Sequence, residues 1–508
     1  MSALPGAGTE TPGLATMRLA STSMGSRDVT TVPTVHLDAS TALDDAFTPN
    51  RGPLDEVEGL LGLWCIDKGI SVSSLIFKVN TRLTDVLSTP LPPRPLRSEL
   101  EDQLMQHLLT TSPDNARNEA DRTLLRSLFG RYRAVPKSLR DDQTAMVLAA
   151  LCLARFEQLR RTMNDGMSVT SLDTPREDIT YYQMACQALS DWNRPSLAAI
   201  WALYYLVMYT TGMAGPNETK DLIRQWAWQI TELGIHRRET ASLYQPHDHV
   251  QSLFGAYFYT DMFRAHLTDL RPCLPFDAFD VDPAPPPRMF PECLTECSYF
   301  TAKFLADLAD PGIDTTSHAY VTSAEATWMP NMRELRHSKD VGTPKYIVAW
   351  SQLRYNWLRC LLYIPHLQHQ NLAPNAFSTI GRAVGQILNT YVDLISINHL
   401  NPSWPQLQRL VITGQLLILC YDAGEFHKRE GQQLFQLMID LLDKHQNTWP
   451  VCSDLILGFQ AAAQAFDIVV SPELSLPFDP QSVGSVDNVN LSFFPYDLGL
   501  DFDFSAFL

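Results

Sequence analysis

Lysine and arginine are in short supply in this 508-residue sequence, and neither occurs after Lys444. The 39 basic residues face 56 acidic ones, so the formal net charge is −17 and the isoelectric point lies near 5.2. Binding to the phosphate backbone requires a basic surface, which this charge balance argues against. We therefore predict that the protein makes no direct, sequence-specific contact with DNA.

Cysteines are few and scattered. Nine cysteines are spread along the chain, an odd number without paired spacing, which predicts buried reduced thiols and argues against a disulfide framework. Long apolar runs are also missing, because the most apolar stretch, residues 197–209, is too short to cross a bilayer. We expect no signal peptide and no membrane association, and therefore a soluble protein of the nucleus or cytosol.

The residue patterns that accompany catalysis or metal binding are missing as well. No Ser-His-Asp set, dinucleotide-binding loop or paired carboxylate motif occurs, and the glycines near Lys220 lack the register of a phosphate-binding loop. His247 and His249 flank Asp248 without a second ligand pair nearby. We predict that the protein is not an enzyme and holds no cofactor or metal.

Helical periodicity dominates what is present, and almost no segment alternates with a period of two. Residues 197–209 are apolar on every side, which predicts a helix buried all round. Asn217 is a predicted N-cap for a second helix over residues 220–233, and Gly234 a predicted C-cap. The sequence predicts an all-α fold, a large bundle of antiparallel helical hairpins over residues 53–470. Residues 310–342 are poorly patterned and predict a long loop.

Several motifs resemble, in order, those of the fungal-specific transcription-factor domain, the middle homology region of fungal zinc-cluster regulators. They lie at residues 181–185 (YYQMA), 227–237 (AWQITELGIHR), 253–261 (LFGAYFYTD), 271–282 and 353–365. The resemblance implies a helical regulatory domain, a nuclear location and control of a secondary-metabolite gene cluster. The six clustered cysteines of that family are missing, since Cys65 is the first cysteine. We expect either a protein without a zinc cluster or a cluster encoded upstream of Met1.

The two ends of the chain differ from the middle in composition. Residues 1–52 are rich in Ser, Thr, Gly and Pro without periodicity, which predicts disorder. Residues 471–508 combine acidic and large apolar side chains, typical of a disordered activation segment that binds coactivators. The alternative is a terminal strand or helix that docks on the bundle. The predicted activation residues are Phe493, Phe494, Tyr496, Asp497, Leu500, Asp501, Phe502, Asp503, Phe504 and Phe507.

A regulatory surface is predicted beside the helical hairpin, where the Pro-rich segment 271–287 crosses the core. Arg237, Asp261 and Arg271 are its candidate residues, and the alternative is that they form structural ion pairs and helix caps. For function, the sequence favours a transcription regulator that works with a DNA-binding partner, as a homo- or heterodimer. The alternative is a helical enzyme or small-molecule-binding protein with no role in transcription.

Overall fold

The computed structural model describes most of the predicted helical region. The described residues are 53–77, 98–110, 119–164, 176–192, 194–213, 215–244, 247–268, 272–281, 292–310, 312–337, 345–368, 373–397, 400, 403–446 and 449–470. All the described residues belong to one unit of the chain, Leu43–Leu508. The predicted disordered segments, 1–52 and 471–508, lie outside the described residues.

Sixteen α-helices make up the described fold, and no strand occurs in it. The first eight are α1 (Pro53–Lys68), α2 (Ser98–Thr110), α3 (Glu119–Ala134), α4 (Asp141–Asn164), α5 (Glu177–Asp191), α6 (Leu197–Met213), α7 (Pro216–Leu233) and α8 (Arg238–Ala241). The others are α9 (His247–Thr268), α10 (Glu292–Ala309), α11 (His318–His337), α12 (Lys345–Tyr363), α13 (Ala373–Ser396), α14 (Trp404–Asp422), α15 (Lys428–His445) and α16 (Cys452–Ala465). The predicted all-α fold is confirmed.

Neighbouring helices in the chain pack against each other, as expected where the connections are short. The pairs α4–α5, α6–α7, α12–α13, α13–α14 and α15–α16 are in contact. The apolar helix α6 is buried all round, as predicted, with Leu203 only 1% exposed. None of the helices in the described ranges combines the length and apolar character required to span a bilayer.

Helix α14 packs against helices from both ends of the described chain. It contacts α1, α6, α9, α13 and α15. Trp404 at its start is buried, and its indole Nε1 donates to Thr219 Oγ1 of α7 at 3.2 Å. Further along, Gln415 donates its side-chain amide to the Leu75 carbonyl at 2.8 Å. Buried side-chain hydrogen bonds therefore also join α14 to α7 and to the turn that follows α1.

The prediction of a long loop over residues 310–342 was wrong, because α11 occupies His318–His337. Its start is capped by Ser317, whose Oγ accepts from the Tyr320 N–H at 3.2 Å. Where its side chains are described, α11 buries Val321 but leaves Thr322 and Ser323 exposed. A helix that buries so narrow a stripe has a weak apolar repeat, and the prediction depended on that repeat.

Seven cysteines are described, and all are free thiols, as predicted. Six are buried, and Cys186 is half-buried. Burial raises the pKa of the Cys360 and Cys452 thiols to about 12. These groups are therefore protonated at neutral pH and act as small apolar side chains in the core.

Candidate regulatory site

The candidate site is built on the α6–α7 hairpin. The N-cap of α7 is Gly215, whose N–H donates to the Glu218 carboxylate at 3.0 Å. The prediction that Asn217 is the N-cap was wrong. The helix begins earlier, at Pro216, so Asn217 lies exposed inside the first turn. At the other end Gly234 is the predicted C-cap, with a left-handed φ of 65° that favours glycine.

After Gly234 the chain turns back, and residues 236–238 bind one end of the segment 272–281. The Asp280 carboxylate accepts from the Arg238 backbone N–H at 2.5 Å. The Arg238 guanidinium donates to the Asp280 carbonyl at 3.0 Å, and the Asp280 N–H donates to the His236 carbonyl at 3.2 Å. Three hydrogen bonds therefore hold this end of the segment beside the C-terminus of α7.

The other end of the segment is held by Asp261 of α9, which is fully buried. Its Oδ2 accepts from the backbone N–H groups of Cys273, at 2.6 Å, and Leu274, at 3.4 Å. Its Oδ1 pairs with Arg264 Nη2 at 2.7 Å, and Arg264 is only 1% exposed. A buried carboxylate paired with a buried guanidinium and bonded to backbone donors has the form of a structural anchor.

Two groups beside Asp261, the Tyr257 hydroxyl and the Cys273 thiol, are held in their neutral forms. Tyr257 donates its hydroxyl to Asp261 Oδ2 at 2.9 Å. Burial, followed by the charge of Asp261, raises the pKa of Tyr257 and of the Cys273 thiol well above their usual values. A protonated, buried thiol is a poor nucleophile at neutral pH. The chemistry available to this cluster is therefore hydrogen bonding and ion pairing.

Of the three predicted surface residues, the two that the structure describes, Arg237 and Asp261, do not share one surface. Arg237 is exposed and precedes the short helix α8, whereas Asp261 is fully buried behind the segment that it anchors. Arg271 lies outside the described residues. For Asp261 the geometry matches the structural alternative that the sequence left open, a buried ion pair. Arg237 lies beside residues that hold the opposite end of the segment.

The predicted activation residues, Phe493 to Phe507, also lie outside the described residues. The same holds for the side chains of His247, Asp248 and His249. In the described part of the chain, no three His, Cys, Asp or Glu side chains are grouped closely enough to hold a metal ion.

Sequence reasoning missed a second ion pair with a buried carboxylate, at the start of α5. Arg176 donates to both oxygens of Asp178, at 2.9 and 2.7 Å, and Tyr209 of α6 donates to Asp178 Oδ2 at 3.0 Å. Asp178 and Tyr209 are both fully buried. The sequence signal was an Arg-x-Asp pair at the start of a helix, but its partner Tyr209 lies 31 positions away from Asp178.

Some of the residues in the motifs that resemble the family lie in the core of this fold. Tyr181 and Ala185 of the YYQMA motif are fully buried in the core. Comparison of the chain with known protein families, with curated proteins and with solved structures gave no match. The resemblance to the fungal transcription-factor domain therefore stays a prediction based on those motifs.

Proposed function

We propose that this chain is a fungal transcription regulator that acts in the nucleus, with residues 471–508 as its activation segment. The composition of residues 493–508 carries the proposal. In this stretch large apolar side chains alternate with three aspartates, and no cation occurs. Acidic and aromatic residues in this proportion are typical of activation segments, because carboxylates keep aromatic side chains in water until a partner groove binds them.

The helical core supports the proposal in a more general way. The motifs resemble a domain that is expected to be all helical, and the described residues form only helices. Asp261 of α9 and Arg238 beyond α7 hold the two ends of the segment 272–281, so the core can present a fixed surface to a partner. We expect that partner to supply DNA binding, in a homo- or heterodimer that controls a biosynthetic gene cluster.

A reporter assay tests the proposal directly. Residues 485–508 fused to an unrelated DNA-binding domain should activate a reporter gene, and residues 1–24 fused in the same way provide a control of equal length. A silent fusion, at a protein level equal to that of an active reference, would reject the activation segment. It would favour the alternative of a helical enzyme or small-molecule-binding protein.

The aromatic residues should matter more than the aspartates in that fusion. Each large apolar side chain enclosed by a coactivator contributes about 1.5–3 kcal/mol, whereas exposed carboxylates contribute steering and solubility. Changing Phe502, Phe504 and Phe507 to Ala should therefore abolish activation. Changing Asp497, Asp501 and Asp503 to Asn should only weaken it, and coactivator binding in vitro should lose more at low salt than at high salt. A larger loss of activation from the aspartate changes than from the phenylalanine changes would contradict the proposed role.

A further inference from the structure

A concentrated basic face interrupts this otherwise acidic protein. It consists of α3 and the turn that follows, where residues 122–140 contain six cations and no acidic residue. The cations are Arg122, Arg126, Arg131, Arg133, Lys137 and Arg140. The whole chain carries a net charge of −17, so this stretch has the opposite sign to its surroundings. We refer to residues 122–140 as the α3 basic face.

Most of these cations already have partners. Arg133 pairs with Glu101 at 3.2 Å, Arg140 binds Asp142 through two hydrogen bonds, and Arg122 and Arg126 also interact with other groups. Arg131 donates to the Ser138 carbonyl at 2.7 Å, but it forms no ion pair with a described residue, and Lys137 is exposed without one. Cations suit the last turn of a helix, which accounts for Arg131 but not for Lys137 beyond that turn.

Small, exposed side chains lie next to these cations on α3. Thr123, Ser127, Gly130 and Ala134 recur at spacings of four, three and four, and all four are exposed. A side chain at Gly130 would meet nothing within 4 Å, and Val135 beyond it is 56% exposed. Small residues with arginines nearby leave room for aromatic rings. A guanidinium group can stack on an aromatic ring and can also pair with a carboxylate.

We propose that the α3 basic face binds the chain's own C-terminal segment, residues 493–508. That segment carries three aspartates and no cation, which complements the charge of the face. The segment also carries large apolar side chains, among them Phe502, Phe504 and Phe507. In the proposed contact these side chains would lie on the small residues of α3, and the aspartates would pair with Arg131 and Lys137.

The length of the connecting chain allows this contact. Residues 471–492 separate the last described residue, Val470, from the segment. Extended, they span about 75 Å, whereas a compact domain of about 420 residues has a radius of gyration of about 22 Å. A tether of this kind keeps the segment at an effective concentration of about 1 mM, so even a weak contact is populated. A nucleic acid would be attracted by the same cations but repelled by the rest of the chain.

Hydrogen exchange in the full-length protein tests the proposal. Peptides that cover residues 493–508 should exchange about tenfold more slowly than a free chain, if the effective concentration exceeds the dissociation constant about tenfold. The charge reversal Arg131→Glu with Lys137→Glu should remove this protection, and so should 0.5 M salt. The matched control is Lys428→Glu with Arg429→Glu at the exposed start of α15, which should leave the protection unchanged.

Two results would overturn the proposal. One is equal and rapid exchange of residues 493–508 in the wild type and the α3 variant, with circular dichroism showing both folded. The other is a mobility shift of duplex DNA that the α3 variant loses while tail exchange stays the same, which would assign the face to nucleic acid. The inference does not depend on the proposed function, since the reporter fusion contains no part of α3.

Discussion

Trp64 and Asp422 are 358 positions apart, yet the Trp64 indole Nε1 donates to the Asp422 carboxylate at 3.2 Å. The Trp64 ring also packs on Phe466, with ring centroids 5.2 Å apart. Helix α1, at the beginning of the described chain, therefore packs among the last helices. This contact closes the described fold, so loosening it should affect the stability of the whole.

Removing Trp64 should destabilise the protein. The side chain is 6% exposed, so Trp64→Ala should lower the free energy of unfolding by about 3–5 kcal/mol through lost burial and a cavity. Trp64→Phe keeps a ring and loses the hydrogen bond, which should cost about 1 kcal/mol or slightly more. Denaturant unfolding measures both. Ile66→Ala, at an 80% exposed position on the same helix, should stay within about 0.5 kcal/mol of the wild type.

Gly458 of α16 faces the backbone of Ser74, and a larger residue should not fit there. A β-carbon at Gly458 would overlap the Ser74 carbonyl oxygen and lie 2.8 Å from its carbon. Gly458→Ala should therefore lower the free energy of unfolding by about 1–3 kcal/mol. Gly59 of α1 has open space around it, so Gly59→Ala should raise stability by about 0.5–1 kcal/mol. Equal thermal midpoints for the two variants would contradict this close approach.

Removing only one partner of the Asp261–Arg264 ion pair should destabilise the protein. Asp261→Asn leaves the buried Arg264 cation uncompensated and weakens the bonds to Cys273 and Leu274, which should cost about 3–5 kcal/mol. Combining it with Arg264→Met should recover part of that loss, because no unpaired charge then stays buried. Asp280→Asn, at the exposed end of the same segment, should cost about 1 kcal/mol or less. Additive losses in the double variant would show that the two residues do not interact.

His445 should make stability depend on pH near neutrality. Its ring is 2% exposed, and its Nδ1 lies 2.7 Å from the Leu441 carbonyl oxygen. Burial lowers the pKa of His445 from 6.5, so the unfolded chain binds a proton more readily than the folded one. The stabilisation by neutral His445 is present above pH 6.5 and is lost as the pH falls below it, by at most about 1.4 kcal/mol per unit.

The variant His445→Asn isolates this contribution. Between pH 7.5 and 6, its free energy of unfolding should fall less steeply than that of the wild type, whatever its absolute stability. Burial also lowers the pKa of His236, but that residue is present in both proteins and cancels in the difference. Identical slopes would mean that His445 is protonated equally in the folded and unfolded states.

Much of the local structure could be predicted from the sequence. The apolar run in α6, the repeat in α7 and the glycine at position 234 each specify a helix or its end through neighbours in the chain. Such signals depend on residues three or four apart, so they can be recognised without knowledge of the fold. The same reasoning failed for α11, which buries only a narrow stripe where its side chains are described.

The partners of the buried polar residues were decided only by the tertiary structure. Nothing near Asp261 in the sequence indicates that its carboxylate binds the backbone of Cys273, and nothing near Trp64 points to Asp422. The six cations of residues 122–140 can be counted in the sequence, but the sequence does not tell which of them are paired with acidic residues in the fold. The physical reason is that periodicity determines which side of a helix is apolar. Which helix covers that side, and which charges stay exposed, depends on how distant parts of the chain pack together.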